Sequence, residues 1–331
     1  MASVTAALSR NTADLRWLDA AARLAGRAVP RCHPNPGVGC ILVKDGKVVG
    51  RGWTQPGGRP HAEAVALAEA GAQARGAAGY VTLEPCAHRS ERGPACANSL
   101  VEAGLAAVVI GQRDPDPRTD GEGVSILEEA GVEVRLHDHA PSARSLAGYL
   151  MRKREGRPFV TVKLATSLEG KIALPDGSSR WITGEAARAH VHARRARHDA
   201  ILVGGGTWRA DRPRLDVRLP GLESRSPRRV LLSRGVQPDG VRVVNTPVAI
   251  ASLEDVLYLY VEGGAETAAS FLREDLVDRL EIYRAPIVIG SGLAALGDIG
   301  MTDLGDAHGR WALTQTRDLG SDLFTAYERL R

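Results

Sequence analysis

His61-Ala62-Glu63, followed by Tyr80-Val81-Thr82-Leu83-Glu84-Pro85-Cys86 and then Pro94-Ala95-Cys96, is the stretch around which the chain is organised. One imidazole and two thiolates form a donor set that suits Zn²⁺, and three protein ligands leave the fourth tetrahedral position to water, as in catalytic sites. Glu63 stands two residues after His61. On an opening helical turn it sits beside the metal without binding it, where a carboxylate shuttles protons. Taken singly, Cys86 and Cys96 read as inert buried thiols and His61 as a helix cap. Together with Glu63 and Pro85 they read as a metal site whose ligands are His61, Cys86 and Cys96.

A His-x-Glu element with a later Pro-Cys-x-x-Cys is the signature of zinc deaminases. The match here is partial, because nine residues separate Cys86 from Cys96 where the signature has two. The second thiolate therefore arrives from a loop, with Cys96 opening a helix over 97–103 whose N-terminus favours the thiolate form.

The chain has 331 residues, a length that suggests two domains. Hydrophobic content of 44% and charged content of 25% are those of a soluble globular protein. No apolar run reaches the roughly 18 residues of a membrane span, and the N-terminus lacks a basic-then-apolar signal, which predicts a cytoplasmic protein. Four cysteines, two of them assigned to metal, make no disulfide framework; Cys32 and Cys40 read as reduced, buried hydrophobes. The formal charge of +4 comes from arginines dispersed among nearly as many acids. Such a bias fits small anionic substrates at least as well as nucleic acid.

Leu15, Leu18, Ala22 and Ala25 recur at helical spacing after Thr12, predicting a helix over 12–28, and Asp14 and Asp19 argue against a transit peptide. His33-Pro34-Asn35-Pro36-Gly37 is a rigid turn, in which Asn35 reads as a turn residue or as a group facing substrate. Lys44-Asp45-Gly46-Lys47 reads as a hairpin turn. Beyond it the pattern predicts helix 62–74, strand 80–83, helix 97–103, strand 106–110, helix 123–130 and strand 132–136, a layered α/β domain over 1–150 with the ligands at strand-to-helix junctions. Met151 to Pro158 is charged and ends in Gly and Pro, which places the domain boundary there. Residues 158–331 form the second domain, with strand 159–165, helix 185–197, strands 199–203, 229–232 and 257–261, helix 265–273 and strand 280–289.

Two glycine clusters, Gly204-Gly205-Gly206-Thr207 and Gly263-Gly264, follow strands and suit a phosphate, since backbone N–H groups come close to it there. Gly290-Ser291-Gly292-Leu293-Ala294-Ala295 spells a dinucleotide pattern but lacks the second βαβ strand with its acidic tip.

Combined with the metal stretch, the second half resembles the bifunctional deaminase/reductase family of riboflavin biosynthesis over nearly the whole chain. The resemblance rests on His33-Pro34-Asn35-Pro36, Pro60-His61-Ala62-Glu63, Leu83 to His88, Lys163 with Ser167 to Lys171, Trp181 to Gly184, Asp199 to Thr207 with Ala210-Asp211, and Val261 to Gly264. It implies a cytidine-deaminase-like three-layer αβα domain and a dihydrofolate-reductase-like α/β domain using NADPH. By matched positions, Glu63 is the proton shuttle, and Asn35 and His88 face the pyrimidine. Ala165, Trp181, Thr207, Asp211, Ser233 and Gly264 to Ser270 line NADPH, while Ser179, Arg195, Leu215, Arg218 and Glu262 line the substrate. Arg195 and Arg218 suit its phosphate on charge grounds alone. The family also implies a homo-oligomer joined through the reductase domain.

Glu169, Arg212 and Thr54 depart from the family pattern, and the stretch from Val236 to Val256 is shorter, with room for one sheet element fewer. The rival readings are a deaminase of a nucleoside or tRNA base, a chain whose deaminase alone is active, and a zinc-stabilised nucleic-acid-binding protein. The last needs a closed four-ligand site with Cys32 or Cys40 on the metal.

Overall fold

Asp45 and Gly46 both take positive φ, 51° and 73°, and turn strand β1 (Gly39–Lys44) back into β2 (Lys47–Trp53). That is the backbone which matches the twist of a two-residue hairpin, and the Asp-Gly pair supplies it. The computed structural model describes residues 2–88, 93–235 and 237–331, with side chains from residue 11 onward. Part of the Cys86 to Cys96 loop and Val236 thus lie outside the described residues. The chain divides into two compact units, Met1–Gly156 and Arg157–Arg331.

In the first unit the sheet runs β2-β1-β3-β4-β5, with β3 (Ala78–Val81), β4 (Ala107–Ile110) and β5 (Glu133–Leu136) parallel to one another and β1 antiparallel to both neighbours. Successive side chains of a strand face opposite sides. Val109 accordingly packs with Leu18 and Ala21 of α1 (Ala2–Ala25), Ile41 and Tyr80. Val108 and Ile110 face the other layer, built from α2 (Ala62–Ala70), α3 (Cys96–Glu102) and α4 (Glu122–Glu129) through Ala66, Leu100 and Leu127. The result is the three-layer αβα arrangement.

The unit ends with α5 (Ala140–Ser145) and α6 (Ala147–Glu155). Met151 to Glu155, expected as a linker because of its charges, is the last turn and a half of α6, and only Gly156, at φ 68°, breaks the helix. Its apolar residues Tyr149 and Leu150 are buried, so the charged run is the solvated end of an amphipathic helix. Likewise the helix expected over 62–74 stops at Ala70; Gly71 takes φ 52° and a short 3₁₀ turn follows.

In the second unit eight strands run β10-β9-β8-β11-β6-β12-β15-β14. They are β6 (Phe159–Thr166), β8 (Ala200–Gly204), β9 (Arg228–Leu232), β10 (Arg242–Val244), β11 (Tyr258–Val261), β12 (Arg279–Arg284), β14 (Trp311–Leu319) and β15 (Asp322–Arg329); β7 (Lys171–Ala173) pairs with β13 (Leu293–Ala294) in a small separate sheet. The first six in that order are parallel, and a β14–β15 hairpin adds antiparallel to β12. On one face α9 (Ala265–Arg273) buries Ala268 and Phe271 against Val162, Leu202 and Leu259. On the other, α7 (Glu185–Arg195) buries Ala187 and Val191 with Ile201, Tyr260, Tyr283 and Phe324. A seven-residue α8 (Gly205–Asp211) follows β8 directly.

The short stretch before β11 does hold a sheet strand, β10, pairing Arg242 to Val244 with Val230 to Leu232. The strand expected over 280–289 ends at Arg284, because Pro286 has no N–H to give the ladder. Residues 289–295 open no helix, and Leu293 and Ala294 form β13 instead.

At the foot of β8, the Oδ2 atom of Asp199 accepts the N–H groups of Leu257 and Tyr258 at 2.9 and 2.8 Å. Burial pushes this carboxyl up to about 6. With a folded-state value above the unfolded one, the associated stability is full below about pH 4 and is lost as pH rises through 6. Asp199→Asn keeps an oxygen for both donors and removes the titration. Relative to that variant, the parent should lose about 1 kcal/mol of unfolding free energy between pH 5 and pH 7, measured by denaturant titration.

Candidate active site

Helix α2 lies directly on the hairpin because β2 carries glycine where the two touch. A Cβ on Gly52 would stand 1.9 Å from the Ala62 carbonyl oxygen, and one on Gly50 would stand 2.2 Å from that of Ala66. His61 is the N-cap of this helix, with extended backbone, and Glu63 in its first turn is buried. Cys86 follows β3, and Cys96 is the first residue of α3. Two strand-to-helix junctions thus converge, β2 to α2 with His61 and β3 to α3 with both cysteines.

The His61 Nδ1 atom lies 3.3 Å from Cys96 Sγ and 3.6 Å from Cys86 Sγ, and one ligating atom from each residue falls within 4.8 Å of the others. Tetrahedral zinc bonds of about 2.0 Å to nitrogen and 2.3 Å to sulfur put such atoms roughly 3.5 Å apart, so the donor set fits the ion. The hydrogen bond from the Cys96 thiol, then His61, pulls Cys86 down to about 4, which favours a thiolate. Burial opposes charge on His61, but Cys86 and Glu63 outweigh it and raise its pKa. Glu63 is raised by burial and then by Cys86, with His61 and the Cys96 thiol acting against the rise.

Asn35 is brought to this centre from 26 residues upstream. Its amide stands 2.7 Å from His61 Nε2, the nitrogen that faces away from the thiols, and 2.9 Å from the Gly58 carbonyl. It is therefore more than a turn residue between two prolines. His88 is half-buried in the loop after Cys86, and its Nδ1 atom is buried without a hydrogen-bond partner among the described residues. Cys32 and Cys40 are buried, but among the described residues the metal-type cluster is His61, Cys86 and Cys96 alone, so the four-ligand site needed by the nucleic-acid-binding reading is not formed.

In the second unit β8 and β11 are hydrogen-bonded parallel neighbours, so their two glycine ends lie side by side. Cβ atoms on Gly204 and Gly263 would stand 2.1 and 2.3 Å from the Thr267 side chain, and one on Gly264 would lie 3.6 Å from Thr207 Oγ1. Ser233, after β9, reaches within 3.3 Å of the same point on Gly205. Thr207, Ser233 and Gly264 therefore gather at the strand ends, where glycine backbone and the start of α9 suit an anionic cofactor. Asp211 closes α8, Ser270 donates to the Thr267 carbonyl within α9, and Ala165 packs on the α7 side of β6. Ser179 and Trp181 are exposed in the loop before α7, with Arg188 over the indole ring.

Arg195, expected at a phosphate, has its guanidinium satisfied. Its Nε and Nη2 donate to Glu262 at 2.6 and 2.9 Å, and Nη1 donates to the Asp216 carbonyl at 2.9 Å. Arg218 remains exposed beside Asp216, while Leu215 is buried at φ 58°. Lys163 lies 3.9 Å from Glu262 and was not singled out as a site residue from the sequence. Its signal was there: a lone lysine within the buried strand Phe159 to Thr166. Burial lowers its pKa, with the Glu262 charge opposing, while Glu262 is held down by Arg195 and Lys163 against its own burial.

An αβα unit with a His/Cys/Cys donor set and a buried glutamate beside it defines a zinc-deaminase domain, here joined to an α/β unit with glycine-ended parallel strands. Residues 11–112 match the cytidine and deoxycytidylate deaminase zinc-binding region, and residues 158–325 match the RibD C-terminal domain. The riboflavin biosynthesis protein RibD of Haemophilus influenzae is 36% identical, covering 97% of this chain and 98% of its own. That of Mycobacterium tuberculosis is 39% identical, covering 88% and 90%. The solved structure of Acinetobacter baumannii RibD superposes with a TM-score of 0.86 at 34% identity, over 96% of this chain and 99% of its own. The chain belongs to the RibD family of riboflavin biosynthesis proteins, in which a deaminase and a reductase share one polypeptide. Among the described residues no helix is long and apolar enough to cross a membrane.

The Arg195–Glu262 pair is largely buried, with side chains 12% and 8% exposed. Arg195→Ala leaves a buried carboxylate without its main partner and should cost about 3–5 kcal/mol of stability in the second unit, read by denaturant unfolding.

Proposed function

We propose that the chain carries out two successive steps of riboflavin biosynthesis. The first is hydrolytic deamination of 2,5-diamino-6-(5-phosphoribosylamino)pyrimidin-4(3H)-one, and the second is NADPH-dependent reduction of the ribosyl chain to ribityl. The observation that carries the first is the convergence of His61, Cys86 and Cys96 within 4.8 Å, with Glu63 buried beside them. Zinc, when bound by these three residues, supplies the Lewis acidity that brings a water toward ionisation at neutral pH. Glu63 accepts one proton of the attacking water on its carboxylate and gives it to the ring nitrogen, then carries the water's second proton to the amino group, which leaves as ammonia. Asn35 and His88 orient the pyrimidine, and the buried Nδ1 of His88, which has no partner among the described residues, is a group that such a ligand would satisfy.

For the second step, Gly263-Gly264 and the start of α9 would hold NADPH, which when bound would supply the hydride for C1 of the opened sugar. Lys163 and Glu262 are the titratable pair on the same sheet face, suited to hold and release the proton that sugar opening moves. Arg195 holds Glu262 in place, which leaves the exposed Arg218 as the better partner for the substrate phosphate.

Glu63→Gln should retain zinc while deamination falls by about 10² to 10⁴ or more. Full activity in that variant would overturn the assignment. Supplying the deaminated intermediate with NADPH and following the cofactor's absorbance tests the second half: oxidation is expected. Its absence, with deamination intact, would leave the second unit a structural domain.

A further inference from the structure

Among the buried acids used by neither step, Glu84 lies nearest in the chain to a metal ligand. Glu84 is 2% exposed and lies two residues before the ligand Cys86. Burying a carboxylate is costly unless its oxygens are hydrogen-bonded. Those of Glu84 accept three backbone N–H groups: Asp114 at 3.3 Å and Gly121 at 3.2 Å on Oε2, and Val124 at 3.2 Å on Oε1. Its own N–H donates to the Gln112 carbonyl at 2.9 Å. The carboxylate therefore ties the whole passage from β4 into the first turn of α4 to the strand end that carries the ligand. The contact is tight: a Cβ on Gly123 would stand 2.1 Å from the Pro85 carbonyl oxygen and 3.2 Å from Glu84 Oε1.

Pro85 fixes its own φ, so backbone orientation at Glu84 passes to Cys86 with little slack. From the other side the Ala97 N–H donates to the Cys86 carbonyl at 3.2 Å and the Cys96 N–H to its sulfur at 3.4 Å. Cys86 is thus held between the starts of two helices, and one of those two grips is made by the Glu84 carboxylate.

Resting on the deaminase reading above, we propose that Glu84 is a positioning residue for the metal centre: it fixes the Cys86 backbone so that the sulfur is presented to zinc without reorganisation. Partners behind the ligands of metal sites typically govern affinity by about 10–100-fold. The expected consequence of loosening this one is faster zinc release, with the fold retained.

The test uses the full-length, zinc-loaded protein and follows transfer of zinc to a chromophoric chelator. Glu84→Ala should release zinc on the order of 10–100-fold faster than the parent. Glu84→Gln, which keeps one acceptor oxygen, should fall between them and carries the test if the alanine variant does not fold. Val109→Ala, a cavity on the opposite face of the same sheet, serves as a control for general destabilisation. At an equal loss of melting temperature it should release zinc at the parental rate, and excess zinc should restore kcat to Glu84→Gln. Parental release rates in the Glu84 variants, or equally fast release from Val109→Ala, would overturn the proposal. A parent that takes up no zinc would overturn the metal-site reading itself.

Discussion

The metal site depends on how closely one helix can approach one strand. With no side chain at Gly50 and Gly52, the α2 backbone lies directly on β2, and the facing residues Ala62, Ala66 and Ala70 are buried. This contact sets the height and direction of the first helical turn, and with it the positions of His61 as cap and Glu63 within that turn. Close-packed interiors transmit such constraints because neighbouring groups cannot slide past one another. The two cysteines meet a fixed imidazole, and the loop between them needs only to deliver Cys96 to the start of α3.

The second unit solves a related problem with charge. Consecutive residues of α7 reach different buried carboxylates: Arg194 lies 2.5 Å from Glu281 on β12, and Arg195 lies 2.6 Å from Glu262 after β11. Glu281 also receives Arg279 and the Tyr260 hydroxyl, each at 3.0 Å. Buried pairs of this kind are poor sources of net stability, since desolvation offsets much of the attraction. What they provide is geometry, because each partner becomes intolerant of displacement once the other is fixed. Glu262 is thereby presented to Lys163 beside the glycine ends of β8 and β11.

Where local pattern and fold disagreed, the cause was a long-range partner. The charged end of α6 looked like a linker because its helix is anchored by Tyr149 and Leu150, upstream of the charges. The elements read from the sequence stop at residue 289, so both strands of the β14–β15 hairpin were missed; β14 is an edge strand with much of its length exposed, which needs no apolar alternation. The glycines at 290 and 292 spelled a nucleotide pattern, yet they lead into β13, and Gly292 is needed there because a Cβ would stand 2.2 Å from the Ala173 carbonyl. In each case the deciding contact comes from another element of the fold.

The sequence by itself determined the donor types at the metal, the glutamate beside them, the alternation of strands and helices, and the glycine-ended strands of the second half. These are legible because ligand chemistry, side-chain periodicity and glycine at strand ends are properties of single residues or short windows. Only the tertiary structure decided that Asn35 stands against the far nitrogen of His61, that Arg195 is satisfied by Glu262, and that Lys163 completes that cluster. Arg195 and Glu262 are 67 residues apart in the chain. No local pattern encodes such a pairing, because it arises where parallel strand order and helix packing bring distant side chains into one low-dielectric space, and there a charge must find its partner.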